Sequence, residues 1–490
     1  MTTLTTVRIH LLAMGLTFAT GSVWAQTPTP AQKTVLAGID KQAAHYGAMS
    51  RQIWEYAEVG YQETQSSALL QDELRKEGFT VQAGVAGIPT AFVATFGSGK
   101  PVVGILAEYD ALPGLAQEST PERKPIAGQK SGHGCGHNLF GTGSMASAIA
   151  VKNWLQQSGR TGTVKLYGCP AEEGGSGKVY MVREGLFTDT DVVLHWHPGD
   201  KNGADAGTSL ANITGKFRFR GVSAHAAASP ERGRSALDGV EAMNNMVNMM
   251  REHIPSDTRV HYIITRGGDA PNVVPDFAEV YYYARNKNRD VVQEVWKRII
   301  KAAEGAAMGT ETKVELEVIG GVFNLLPVES LARLVHKNLI TVGGVTYTPD
   351  ELSFAGKLGE TFGVAPGLMK KPTEAATVKP FAKSTDDPVS GGSTDVGDVS
   401  WAVPTVGLSA ATWVPGTAAH SWQAVACSGS SVGQKGMVVA AKTLALTAID
   451  LFSDPKLVDK ARQDWLDARG KDFKYEALLG TRKPALDYRK

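Results

Sequence analysis

The stretch Val102-Val103-Gly104-Ile105-Leu106-Ala107-Glu108-Tyr109-Asp110 is a short apolar run that ends on acid. It reads as a strand whose last residues reach a loop. A second strand pattern, Phe92-Val93-Ala94-Thr95-Phe96, precedes it, and before that helical spacing runs from Ala31 to about Glu77, where Gly78 stops it. Beyond it the pattern alternates. Helices are expected near Leu139 to Gln157 and Lys178 to Glu184, with strands at Thr163 to Tyr167 and Asp191 to Trp196. Such alternation is the mark of a helix-flanked α/β sheet.

The order changes after Asn212. Strands at 215–221, 259–265, 278–285 and 313–319, with helices at 234–253 and 289–307, spell βαββαβ. This ferredoxin-like order fits a separate small domain of about a hundred residues. The α/β pattern resumes near Leu325, with a strand at 405–410 and a helix near 432–452, so the small domain reads as an insertion.

The 490 residues are 42% hydrophobic and 20% charged, which suits globular domains and not a disordered or multi-span membrane chain. A net charge of +1 offers no electrostatic footprint for nucleic acid. Residues 1–25 carry Arg8 and His10, the apolar stretch Leu11 to Ala19, then Val23-Trp24-Ala25, the pattern of a cleaved secretory signal. Export to the periplasm is therefore expected, with no membrane attachment after cleavage. No later apolar run reads as long enough to cross a bilayer. With only Cys135, Cys169 and Cys427, the chain is no disulfide scaffold; Cys169 and Cys427 are read as a pair or as buried thiols.

The densest polar constellation is Ser131-Gly132-His133-Gly134-Cys135-Gly136-His137-Asn138. Glycines on both sides of Cys135 allow a tight loop to aim a thiolate and an imidazole at one point, as a borderline-soft metal requires. Pro170-Ala171-Glu172-Glu173-Gly174-Gly175 places adjacent carboxylates at a strand end, so one can bind metal while the other meets a water or substrate proton. In His195-Trp196-His197-Pro198 either histidine can be a ligand. Asp110 ends another strand, and His420 lies in a late loop. Ligand sites of open α/β sheets gather at the carboxyl ends of strands, so these groups are expected to converge.

Seven segments, AEYDALPG (107–114), GHGCGHN (132–138), PAEEGG (170–175), HWHPG (195–199), GVSAHAA (221–227), NVVPD (272–276) and STDVGDVS (393–400), run through nearly the whole chain. They resemble the metal-dependent aminoacylase and carboxypeptidase superfamily of amidohydrolases, most closely its aminobenzoyl-glutamate utilisation protein B type. The resemblance implies a mixed-sheet metallohydrolase domain (26–211 and 323–490) interrupted by a dimerisation domain (212–322). It implies two divalent ions, zinc or manganese, held by Cys135, His137, Glu173, His420 and one histidine of HWHPG. His197 is the choice for that last ligand by its distance from Asp191, with His195 as runner-up. Glu172 matches the general acid/base and Asp110 the carboxylate that orients the ligands. His225 matches a histidine that reaches an active site across the dimer, and Asn272 and Arg285 match the substrate-binding pair. The implied reaction is hydrolysis of the amide of a small N-acyl or N-aroyl amino acid or peptide by a homodimer. A dipeptidase or carboxypeptidase on the same scaffold, and a non-catalytic exported binding protein, are the alternatives.

Overall fold

The structure, a computed structural model, describes residues 27–382 and 391–490. The signal expected over residues 1–25 lies outside them. The strands that organise it are, in chain order, β1 (Thr80–Ala83), β2 (Phe92–Ser98), β3 (Val102–Glu108), β4 (Gly162–Cys169), β5 (Val192–Gly199), β6 (Ala211–Arg220), β7 (Arg259–Arg266), β8 (Phe277–Asn286), β9 (Lys313–Val322) and β10 (Thr405–Ala411). Six of them form one mixed sheet in the order β1-β2-β4-β3-β5-β10. Its inner strands β4, β3, β5 and β10 run parallel, while β1 and β2 pair antiparallel at one side.

Every residue of β3 is buried, because both faces of the sheet are covered. Val103, Ile105 and Ala107 join a core with helices His137–Ser158 and Ser431–Ser453, while Leu106 packs on the other face with Val179, Val396 and Val399. Helix Ser431–Ser453 corrects one reading of the sequence. It is long and apolar enough to cross a membrane, yet it is mostly buried in the core, where a helix needs apolar residues on all sides. The single helical stretch expected up to Glu77 is three helices, Pro30–Lys41, Ala43–Tyr56 and Thr64–Lys76. Ala57 closes the second of them in a left-handed conformation. Cys135, Cys169 and Cys427 are all free, buried thiols, so the pairing alternative does not occur.

The remaining four strands form a separate antiparallel sheet in the order β9-β6-β8-β7, the ferredoxin-like arrangement. Helices Ala236–Met250 and Arg289–Gly309 cover one face, where Phe217, Phe219, Val280, Tyr282 and Trp296 are buried. Because successive side chains of a strand point to opposite faces, Tyr281, Tyr283 and Arg285 of β8 turn away from those helices and toward the main sheet.

Below the loops at the carboxyl end of β3, Lys178 is fully buried. Its Nζ lies 2.6 Å from Glu108 Oε1 and 2.8 Å from Asp395 Oδ1, joining β3 to helices Gly177–Arg183 and Val396–Ala402. Deleting one member of a buried ion cluster leaves the others without compensation, a loss of about 3–5 kcal/mol. Lys178→Met is therefore expected to lower the unfolding free energy by about that amount. A urea denaturation midpoint and slope equal to those of the unmodified protein would contradict this.

Candidate metal centre and substrate cleft

The Cys135 loop is built on glycines for steric reasons. Gly136 has φ 77°, and a Cβ there would lie 2.7 Å from Pro198 Cβ; a Cβ on Gly132 would lie 2.2 Å from the Leu115 carbonyl oxygen. The loop is therefore pressed against β5 and delivers Cys135 beside the residue that precedes Pro198. Cys135 Sγ sits 3.4 Å from His197 Nε2. His197 Nδ1 donates to the Pro198 carbonyl at 2.7 Å, which leaves Nε2 as the lone-pair nitrogen facing the thiol.

His137 opens the helix that follows. Its Nδ1 donates to Asp110 Oδ1 at 2.9 Å, so its Nε2 is likewise turned inward, 3.1 Å from Glu108 Oε2. Asp110 uses its other oxygen to accept the Glu173 backbone N–H at 2.9 Å. Glu173 Oε1 lies 3.2 Å from His420 Nε2. His420 takes a left-handed conformation, φ 57°, and its backbone N–H donates to Gly134, which fixes the late loop to the Cys135 loop.

These contacts gather two ligand triads that share one sulfur, Cys135 with His137 and His197, and Cys135 with Glu173 and His420. All five residues expected as ligands are thus brought together, and Asp110 stands behind His137 as expected. His197 belongs to the centre. His195, two residues earlier on the same face of β5, lies against Gly407 of β10 and joins neither triad. His133 is used structurally, bonded to the Ile53 carbonyl and to the Asn138 N–H.

Glu172 lies with Glu108 and His137 in a third group. Burial, and then the nearby charges of Glu108 and Glu173, hold its carboxyl well above the usual carboxylate range. Burial alone would also raise Glu173, but the hydrogen bond from His420 and the charge of His137 keep it low. Adjacent carboxyls are thus driven in opposite directions, an arrangement that separates a proton carrier from a ligand. Glu108 Oε2, His137 Nε2 and Glu173 Oε1 are buried without hydrogen-bond partners, and all three face the same point. A divalent cation satisfies this set of soft and hard donors.

A cavity of about 640 Å³ opens over the centre, lined by Cys135, Glu172, Glu173, His197 and His420 and, from the second sheet, by Arg285. Arg285 lies over the Tyr283 ring at 5.0 Å, and its Nε is buried without a partner. His225 and Asn272 are not brought here. Both are exposed, next to each other on the insertion, where Ala226 N–H donates to the Asn272 carbonyl and His225 Nδ1 accepts from Ala227 and Ala228.

Three contributors escape the sequence reading. Glu108 stands beside the more conspicuous Asp110 in the same segment, although an acid closing an all-apolar strand is itself a signal. Lys178 is legible only through its partners. Glu63, fully buried, accepts the Ala171 N–H at 2.8 Å and the Thr90 hydroxyl at 3.0 Å, while burial and the charge of Asp110 push its carboxyl up to about 8.

Residues 211–311 match the peptidase dimerisation domain family. The chain is 42% identical to a p-aminobenzoyl-glutamate hydrolase polypeptide of Escherichia coli (strain K12), a match covering 87% of this chain and 93% of that protein. It is 30% identical to the Xaa-Arg dipeptidase of Homo sapiens over 87% of this chain and 90% of that one. Among solved structures, a dinuclear metal-binding peptidase of the M20 family from Bacillus subtilis aligns with a TM-score of 0.56 at 17% identity, covering 84% of this chain and 99% of that chain. The chain belongs to the M20 family of metal-dependent amidohydrolases and peptidases, and is a hydrolase of linear amide bonds.

Proposed function

We propose that this protein hydrolyses the amide of N-acyl or N-aroyl amino acids, using two divalent ions held by Cys135, His137, Glu173, His197 and His420. The observation that carries the reading is the pair of triads sharing Cys135 under a cavity that also holds Glu172 and a guanidinium. The Escherichia coli relative is named for a substrate of this class. The thiol and imidazoles favour zinc over manganese on softness.

When bound, the ions supply Lewis acidity that activates water and polarises a carbonyl. Glu172 takes the proton of the attacking water and passes it to the leaving amine nitrogen, a role suited to a carboxyl whose surroundings favour the protonated form. Arg285 holds the α-carboxylate of the leaving amino acid by a two-point fork. Asp110 keeps His137 in the tautomer that presents Nε2.

The rest of the reading concerns assembly and location. Residues 212–322 form a dimerisation domain between the two parts of a catalytic domain, 26–211 and 323–490. The edge strand β7 supports a homodimer, since its outward Ile263 is 62% exposed and Met249 on the adjoining helix is 65% exposed. His225 and Asn272, exposed on the insertion, would then serve the cleft of the other protomer. Residues 1–25 support export to the periplasm.

The test is turnover of N-benzoyl and simple N-acyl amino acids with added zinc or manganese. Glu172→Gln is expected to retain metal and lose a factor on the order of a hundred or more in turnover. Near-normal turnover in metal-loaded Glu172→Gln would remove Glu172 as the base. By elemental analysis His197→Ala should lose metal and His195→Ala should keep it; the reverse result would transfer the ligand role to His195. Mixing His225→Ala protomers with Glu172→Gln protomers should restore part of the activity, and a monomer by light scattering at micromolar concentration would refute the homodimer.

A further inference from the structure

Residues 478–489 form a strap from the insertion to the catalytic cleft. Leu478 packs against Gly321 of β9, where an added Cβ would lie 2.7 Å from Leu478 Cβ. Arg482 donates to the Val318 carbonyl at 2.9 Å and pairs with Glu317 at 3.3 Å. Arg183 and Gln62 hold the next turns through the carbonyls of Arg482 and Leu486, at 2.7 and 2.8 Å. Tyr488 then meets the Tyr61 ring edge-on at 5.6 Å. Its hydroxyl donates to the Glu173 carbonyl at 3.0 Å, and Arg489 Nη2 donates to the same oxygen at 2.9 Å.

The strap therefore ends on a residue of the catalytic centre and places the guanidinium of Arg489 in the wall of the cavity that Arg285 also lines. The Nε of each is buried without a hydrogen-bond partner. Thr214 Oγ1 and Ser393 Oγ, in the same wall, are also buried and unpartnered. Buried donors left unpaired are costly, so this wall is shaped for a ligand that brings acceptors. One carboxylate can satisfy one guanidinium fork; the cavity offers two.

We propose that Arg489 is a specificity-determining residue that binds a second carboxylate on the substrate, so that the preferred substrates are N-acyl amino acids carrying two carboxylates. The proposal rests on the hydrolase reading above. It adds that a lone α-carboxylate leaves Arg489 unmatched, and that a cationic side chain would meet like charge.

The experiment compares N-benzoyl-glutamate with N-benzoyl-glutamine, which differ only in the second carboxylate, and N-succinyl-alanine with N-butanoyl-alanine, which place it on the acyl group. The metal-loaded full chain should prefer the dianion in one of the two pairs by about ten- to a hundredfold in kcat/KM, and that pair identifies which end Arg489 holds. Arg489→Gln should collapse that preference by raising KM, with kcat on the matching monoanion unchanged, and Arg489→Lys should keep part of it. Equal use of both members in both pairs by the unmodified chain, or an unchanged ratio in Arg489→Gln, would overturn the proposal. So would a uniform loss on all four substrates, which marks a purely structural strap. Calorimetric titration with glutarate and butyrate gives a readout without turnover. Arg489→Gln should weaken glutarate about tenfold and leave butyrate unaffected. If no substrate is cleaved while this binding difference holds, the hydrolase reading fails and the Arg489 site stands; an unchanged glutarate affinity removes the site alone.

Discussion

Negative charge buried at the carboxyl ends of the parallel strands is the constraint around which this molecule is arranged. Glu108, Asp110, Glu172, Glu173 and Asp395 meet within a few residues of one another in space, and Lys178 is the fully buried lysine that faces two of them. Ionised carboxylates in such a place need compensation, and a single lysine cannot supply it. The three histidines reduce the deficit only when protonated, and His197 is held neutral by burial and by the neighbouring His137. Divalent cations resolve the imbalance more completely than any rearrangement of the side chains. The sheet order, the glycine loop and the late His420 loop then read as means of bringing lone pairs to that point.

The second sheet matters because of its period. Alternation along β8 sends Val280, Tyr282 and Ala284 into the helices and Tyr281, Tyr283 and Arg285 toward the cleft, so one strand serves both a core and a binding wall. The strap from Leu478 to Arg489 ties that wall to the loop carrying Glu172 and Glu173 through several polar contacts. A cleft formed between two units is thus given a fixed side, which limits how far β9 and the catalytic loop can separate within one protomer.

Much of this is legible in the sequence because the information is local. Glycines next to Cys135, paired acids after β4, histidines at the end of β5 and the βαββαβ order each declare themselves within a short window. The partners of Lys178 lie 70 residues before it and 217 after it, at Glu108 and Asp395, and no window contains them. Arg489 is further from pattern still, a basic residue in a polar stretch that looks solvated until the strap is traced. Helix Ser431–Ser453 misleads for the opposite reason. Its apolar composition is local and genuine, but whether lipid or protein surrounds it is a property of the whole fold.

The backbone around Glu172 shows that the site is set before any ligand arrives. Ala171 holds φ 56° and His420 φ 57°, conformations that cost an L-residue about 1–2 kcal/mol each. Both are retained by hydrogen bonds that act on the amide itself, Ala171 N–H to the buried Glu63 carboxyl and His420 N–H to the Gly134 carbonyl. Asp110 performs the same service for Glu173 N–H. Glu172 therefore stands between two amides that are each anchored to a buried carboxyl, so its backbone has little freedom left to lose. A base fixed in this way pays its ordering entropy at folding and not at each turnover, which is the physical basis of preorganisation. It also accounts for the placement of strain at an alanine and a histidine, since the groups that oppose the strain are the same ones that aim the catalytic carboxyl and the last ligand.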